Sequence, residues 1–401
     1  LENGRFRLGD TYVTGLRWDI TFTLFLTQVT NHKLYFPAQS LPFCHRIWCL
    51  EVVRIRVNTN KSDWKERIMN ASSNISAPHL SNLHLVCGSG GTRAFLTGAG
   101  AILACDTAGI TNWESIGGVS GGSIISALYA GGMPAPQLVE EVIGYDFATL
   151  FKKTNTLRNL IRSNLPRRPK TLERHAIREG IMSSEGLGAV IDKHVATWPE
   201  NFWTIAVTGK FHILFTAHGV FQIHNGRSLR ISETPAPLGL AIRASCAVPG
   251  ILESIEYLGR HLFDGALSDY GDCPTGVVRH HFQAPSNKIV ACDVSGGMTR
   301  QRRAIFALGR LITGRISQKL HVNSRADEIF IAPKVQGLGG SLEFSLTRDQ
   351  KEAAVLSGFS AAVVELSRRG VLTGDKLILC QEAMKSYSDM HRILIAGQRN
   401  E

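Results

Sequence analysis

From residue 83 onward the chain alternates short apolar runs with longer amphipathic stretches, and glycine clusters punctuate the changes. "LHLVCG" is a β-rich apolar run that ends in glycines, and "RAFLTGAGAILACDTAG" follows it with helical character. The same theme returns at once: "WESIGGVS" reads as a strand and a tight turn, and "GGSIISALYAGGMP" as a helix stopped by Gly-Gly-x-Pro. Further strands are expected at "FWTIAVTG", "FHILFTA", "HLFDGA", "KIVACDV" and "EIFIAP", and helices near 187–194, 238–245, 304–321 and 350–369. Strands alternating with helices predict an α/β sandwich around a mainly parallel sheet. The polar stretch 152–178 interrupts the alternation and is the one candidate for an inserted cap or lid.

The first 80 residues have another texture. They hold ten aromatics between Phe6 and Trp64 and no helical or strand period. The organisation expected is therefore an N-terminal extension over 1–80, a catalytic domain over 81–375 and a C-terminal tail over 376–401. The opening residues lack a basic start, a long apolar run and a small-residue cleavage site, so no signal peptide is expected. Apolar stretches such as "ITFTLFL" fall short of the ~20 residues that span a bilayer. A cytoplasmic or peripheral-membrane protein is the resulting expectation.

Composition narrows the partners. The 401 residues are 44% hydrophobic and 19% charged, which is enough apolar material for a sizeable core and excludes a disordered or collagen-like chain. The net charge of +11 implies an anionic partner, whether lipid surface, nucleic acid or acidic substrate. The eight cysteines form no C-x-x-C pair and no Cys/His set with zinc spacing, and there is no acidic calcium loop. Buried free thiols are expected, and no metal or other cofactor.

Three places carry candidate chemistry. "GGVSGG" contains the G-x-S-x-G match Gly118-Val119-Ser120-Gly121-Gly122 between a strand and a helix. Small neighbours let a serine there occupy a sharp turn and meet an acyl carbonyl, and the helix N-terminus favours developing negative charge. The plain alternative is a serine that caps an ordinary helix. "GSGGTRA", thirty residues upstream, also sits between strand and helix. Its exposed N–H groups suit an oxyanion, with Gly90 and Gly91 as donors and Arg93 either fixing the loop or meeting a substrate phosphate. As a dinucleotide turn it lacks the third small residue in register, because Arg93 stands there, and no G-K-[ST] follows to make a phosphate loop. In "RHLFDGALSDYGDCP", Asp264 ends an expected strand, where it is placed to take a serine proton; a bare D-G pair is otherwise a β-turn. Desolvation would raise the carboxyl's pKa toward that of a useful base.

These sites, in this order and on these strands, resemble the patatin-like phospholipase family over roughly 82–370. The resemblance rests on "SGGTRA", on "GVSGG" running into "SALYAGGMP", on "RASCAVPGILESIEYLGRHLFDGAL", and on the late stretch "DQKEAAVLSGFSAAVVEL". The run "ASCAVPG" upstream of "DGA" is more diagnostic than either short motif. The resemblance implies a three-layer α/β sandwich and a Ser–Asp dyad instead of a triad. Ser120 would be the nucleophile and Asp264 the base, Gly90 and Gly91 would be oxyanion donors, and Arg93 would match the arginine of the glycine-rich loop. The implied activity is hydrolysis of lipid carboxylic esters, of the phospholipase A or lysophospholipase type. There are departures: Ser89 replaces the first glycine of the usual triplet, and Ala94 the glycine after the arginine. The asparagine-x-proline expected after "DGA" appears as "SDYGDCP", with Pro274 about two residues late.

Other readings remain open on the residues alone. Fourteen histidines allow a Ser–His–Asp triad, with His280, His281 or His321 as the last member. A catalytically inactive lipid- or protein-binding module and a lipid acyltransferase are two more. Nine Lys/Arg against one acid between 152 and 178, and six against none between 300 and 319, are by default solvated faces. Beside a lipid-acyl site they favour peripheral contact with anionic membrane, at ~1 kcal/mol per basic residue near the surface. Nucleic acid is not expected, because no binding motif or aromatic interleaving accompanies these runs.

Overall fold

The computed structural model describes residues 6–8, 11–13, 81–154, 178–209, 211–224, 227–294, 327–335, 343–378 and 380–381. The expected helix at 304–321, the basic run 300–319, His321, most of the stretch 152–178 and nearly all of the N-terminal extension lie outside the described residues. The chain divides into two units, Leu1–Lys61 and Ser62–Glu401. In the first, β1 (Phe6–Leu8) and β2 (Thr11–Val13) pair as an antiparallel hairpin.

The second unit opens with β3 (Leu83–Cys87), every residue of which is buried, as a central parallel strand requires. Helix α1 (Thr92–Thr107), strand β4 (Trp113–Gly118) and helix α2 (Gly121–Ala130) follow. Then come α3 (Ala135–Gly144), the single turn α4 (Phe147–Leu150), and the two-residue strands β5 (Lys152–Lys153) and β6 (Met182–Ser183), which pair with each other. Helix α5 (Glu185–His194) leads to β7 (Phe202–Thr208), β8 (Phe211–Thr216), β9 (Gly219–His224) and β10 (Arg227–Ser232), an antiparallel meander. Helix α6 (Leu238–Cys246), the hairpin β11 (Ile255–Tyr257) and β12 (Arg260–Asp264), and helix α7 (Thr275–His280) precede β13 (Ile289–Cys292), β14 (Ile329–Ile331) and α8 (Arg348–Arg368).

The main sheet has the order β10-β9-β8-β7-β4-β3-β13-β14. The five strands from β7 to β14 are parallel, and the meander extends them at one side. Helices cover both faces, so the molecule is the expected three-layer α/β sandwich. On one face Val86, Trp203, Ile205, Leu214 and Ala291 pack against Val277 and Val278 of α7. On the other, Ala206, Ile213 and Phe215 pack against Ala241 and Ala244 of α6. Helix α1 also lies on this second face, where its Gly98 approaches the Cys87 sulfur. Helix α8 reaches α1 by backbone contact: a methyl on Gly100 would lie 1.9 Å from the Val355 carbonyl oxygen, and one on Gly358 would lie 1.8 Å from that of Thr97. No larger residue fits at this crossing, which fixes α1 and therefore the glycine loop that starts it.

Strands β9 and β10 and helix α7 lie outside the elements expected from the hydrophobic pattern. Strand β10 is exposed along most of its length, and α7 is only six residues long. An exposed edge strand shows no apolar alternation, and a helix of under two turns is too short to show a period.

Candidate active site

Two strands run head to head along one edge of β7. Strand β4 runs parallel to it beside Phe202–Thr204, and β12 runs antiparallel beside Ala206 and Val207. The last residue of β12 is Asp264, and β4 ends two residues before Ser120. The gap between the strand ends falls opposite Ile205, so the topology carries both side chains to one point. The fit is tight: a methyl on Gly265 would lie 2.2 Å from the Ile205 carbonyl oxygen and 2.7 Å from a Val119 methyl.

Ser120 has φ 54° and ψ −131°, a left-handed-side conformation that a residue with a side chain adopts only when its surroundings impose it. The imposition is visible. Val119 N–H donates to the Cys87 carbonyl (3.1 Å), and Ser120 N–H to the Ser245 hydroxyl (3.1 Å). The Ser245 hydroxyl is 2.9 Å from that of Thr204, which also lies 2.9 Å from the Gly118 carbonyl. Ser123 and Ser126 of α2 hold the Ser120 and Gly117 carbonyls at 2.6 and 3.0 Å. The small residues are needed because backbone crowds them. A methyl on Gly122 would meet the Cys87 and Gly88 carbonyl oxygens at 2.4 Å, and one on Gly121 the Gly91 oxygen at 2.2 Å. Ser120 precedes α2, yet its hydroxyl makes no capping bond to the helix. Asp264 lies close enough for the Ser120 hydroxyl to favour its ionised form.

Asp264 is 3% exposed. Its Oδ1 accepts from Ala266 N–H (2.8 Å), so the Asp-Gly pair does make a tight turn, of 3-10 type, while the carboxylate faces the serine. Its own N–H donates to the Ala247 carbonyl (2.9 Å). Burial pushes the carboxyl pKa up to about 7; the Ala266 hydrogen bond and the Ser120 hydroxyl oppose that rise, and the nearby Asp272 adds to it. The segment "ASCAVPG" thus has a physical role. Ser245 holds the elbow, Ala247 holds β12, and Cys246 and Val248 line the space beside Ser120. Ser245 and Thr204 are the contributors that sequence reasoning missed. Ser245 stands inside the quoted segment, but nothing local marks Thr204.

The glycine loop lies alongside. Gly90 has φ 153° and no room for a side chain, since a methyl would lie 2.5 Å from Val294. Gly91 precedes α1 with φ 60°. Among the described residues neither N–H group has a protein acceptor. Gly91 borders the same crevice as Ser120 and Gly121. Arg93, in the first turn of α1, does not border it. Burial lowers its guanidinium pKa and the adjacent Glu343 opposes the effect, while Thr92 donates to the Glu343 carbonyl (3.0 Å). This placement suits holding the loop better than meeting substrate. The crevice is about 40 Å³ and otherwise apolar, with Phe95, Ile124, Phe147, Leu252 and Phe344 in its wall.

Of the candidate histidines, His280 ends α7 and His281 follows it. The His281 ring packs edge-on against Phe221 and Phe282 and lines a cavity with His84 and Ser115, at the opposite end of the strands from Ser120. Burial lowers the His281 pKa.

The family model for patatin-like phospholipases matches residues 85–272. Among solved structures, VipD from Legionella pneumophila is similar at 14% identity and a TM-score of 0.40, over 71% of this chain and 66% of that one, so this chain spans just under two thirds of VipD's length. No curated protein matches the chain.

Proposed function

Residues 85–272 are a patatin-like phospholipase domain, and from that premise we propose a lipid acyl hydrolase in which Ser120 is the nucleophile and Asp264 its base. The observation that carries the reading is the convergence of a strained serine and a buried carboxylate at facing strand ends, with the carboxylate pKa raised to about 7 and the Ser120 hydroxyl near enough to influence it. A base near neutrality balances availability against proton affinity. In acylation the Ser120 oxygen bonds to the ester carbonyl carbon and its proton passes to Asp264. The carbonyl oxygen takes the negative charge and is met by the N–H groups of Gly90 and Gly91. Collapse breaks the bond to the alcohol oxygen, which leaves with the proton from Asp264. Water then repeats the sequence on the acyl-enzyme and releases the fatty acid. The crevice beside Ser120 is apolar, as an acyl chain requires, and would have to widen to admit a long one.

The substrate class is glycerophospholipid or lysophospholipid, with cleavage of the phospholipase A or lysophospholipase type. The basic stretches 152–178 and 300–319 support peripheral attraction to anionic membrane. No helix among the described residues is long and apolar enough to cross a membrane. Among the described residues, the triad alternative is disfavoured by the placement of His280 and His281 away from Ser120. An inactive binding module is disfavoured by the strained serine, a conformation with no purpose in a dead scaffold. Lipid mass spectrometry after incubation with mixed membranes, with and without an acceptor lipid, tests the reading. Free fatty acid should accumulate with wild type and not with Ser120→Ala. Transfer to the acceptor without free acid would make the protein an acyltransferase, and no change in either would leave a binding module.

A further inference from the structure

Two departures from the family pattern meet in space. Ser89 stands where a glycine is usual, and the loop after Asp264 reaches Pro274 about two residues late. The Ser89 hydroxyl donates to Asp272 Oδ1 at 3.0 Å, across 183 residues of sequence. Ser89 N–H donates to the Asp272 carbonyl at 2.6 Å, so the residue is gripped through backbone and side chain together. Gly88, immediately before, donates to the Cys292 carbonyl at 2.8 Å, and a methyl on it would lie 3.0 Å from the Asp272 carbonyl oxygen. A glycine at 89 would keep the backbone bond and lose the side-chain one. Asp272 lies in that loop, two residues before Pro274.

We infer that Ser89 and Asp272 are a matched pair of positioning residues, a tether that holds the oxyanion loop 88–91 in register with the loop carrying Asp264. The inference rests on the Ser120–Asp264 reading and adds residues to it that touch no reacting atom. The mechanical argument is direct. Gly90 and Gly91 follow Ser89 in the chain, and their N–H groups must stand within about 3 Å of the developing oxyanion, where a 1 Å error can cost ~100-fold in rate. The tether also places a carboxylate near Asp264. Among the described residues, the groups facing Asp264 are the Ser120 hydroxyl from the elbow, the Cys246 thiol from α6 and Asp272 from its own loop, while β7 presents only Ala206. Asp269 of the same loop is paired with His212 of β8 at 3.5 Å. Asp272 is therefore the neighbouring charge in that set that disfavours ionisation of Asp264.

Position and charge separate by mutation. Ser89→Ala removes the bond and keeps the charge. Asp272→Asn keeps an oxygen acceptor for Ser89 and removes the charge, and Asp272→Ala removes both. On a water-soluble acyl ester, Ser89→Ala and Asp272→Ala should each lower kcat about 10-fold with KM nearly constant. The double alanine variant should be no worse than Asp272→Ala, because one bond is lost once. Asp272→Asn should keep about half of kcat and move the acid limb of the kcat/KM profile to lower pH, a shift that a purely structural role does not produce. Wild-type kcat in Ser89→Ala, or additive losses in the double variant, would overturn the tether. Thermal midpoints of the same four variants give a cycle independent of chemistry. Ser120→Ala serves as control: if it stays active, the serine reading fails, and the tether then stands or falls on non-additivity of the midpoints alone.

Discussion

Gly91 and Ser120 share one backbone conformation, φ 60° and ψ −136° for the glycine and φ 54° and ψ −131° for the serine, each immediately before a helix. The candidate site is thus built from two neighbouring strand-turn-helix elbows, β3 into α1 and β4 into α2. Both helix N-termini bring partial positive charge to the space where an oxyanion would form. One elbow carries a side chain for attack, and the other carries none, so that its backbone stays accessible.

The elbows touch at Gly121, whose added methyl would stand 2.2 Å from the Gly91 oxygen. Gly121→Ala must push the elbows apart, because the obstruction is backbone and not a side chain that can turn away. The expected cost is about 1–3 kcal/mol of stability, together with loss of fluorophosphonate labelling at Ser120. Thermal melts and a gel-based labelling assay check both, and a labelled, equally stable variant would contradict this account of the site.

Ser245 accepts from Ser120 N–H at a fully buried position and links through Thr204 to Gly118. Ser245→Ala leaves that N–H without its acceptor and should cost about 1–3 kcal/mol. Ser120 should also relax from its strained φ, so kcat should fall more than KM changes. Ser245→Thr, which restores a hydroxyl, should recover part of the loss. Steady-state kinetics on the pair decides.

How much of this was legible beforehand follows from where each signal resides. Ser120, Asp264, Gly90 and Gly91 occupy tight turns at strand ends, and turns need local residue types, so short motifs betray them. The parallel strands β3, β4 and β13 are buried on both faces and read as apolar runs. Strand β10 has no such run, since its pairing with β9 is satisfied at an exposed edge. Ser245, Thr204 and Asp272 act through bonds spanning 125, 41 and 183 residues, a tertiary arrangement with no local pattern. Arg93 shows the reverse case: its motif was clear, but its neighbour Glu343 and its place outside the crevice appear only in the fold.

The crevice beside Ser120 offers only about 40 Å³, far less than the several hundred Å³ typical of a lipid- or drug-sized pocket. A long acyl chain therefore enters only if the wall moves. The Phe151 and Phe344 rings, 4.6 Å apart, close one side of it. Replacing both by alanine should raise kcat/KM for long-chain esters over short-chain ones by roughly 10-fold, because the methylenes gain a preformed apolar cavity. A chain-length series of p-nitrophenyl esters measures it, and an unchanged preference would place the acyl chain elsewhere.

Asp264 gives the sharpest pH prediction, since burial raises its pKa from 3.8 in the unfolded chain to about 7. A carboxyl with a raised folded pKa contributes fully to stability below pH 3.8. That contribution fades as pH climbs toward 7, because above it the folded state holds a buried charge that the unfolded state solvates. The difference amounts to roughly 4 kcal/mol at pH 8. Asp264→Asn keeps an oxygen for the Ala266 N–H and removes the charge. It should therefore melt at higher temperature than wild type at pH 8, with the gap narrowing as pH is lowered through 7 and closing near 4. The same variant should lose nearly all turnover. Wild-type kcat/KM should rise with pH through a midpoint near 7, and His281→Gln should leave that midpoint in place. A stabilised, inactive Asp264→Asn would tie catalysis to stability: the charge that would let this carboxylate act as a base near neutral pH is the charge that burial opposes.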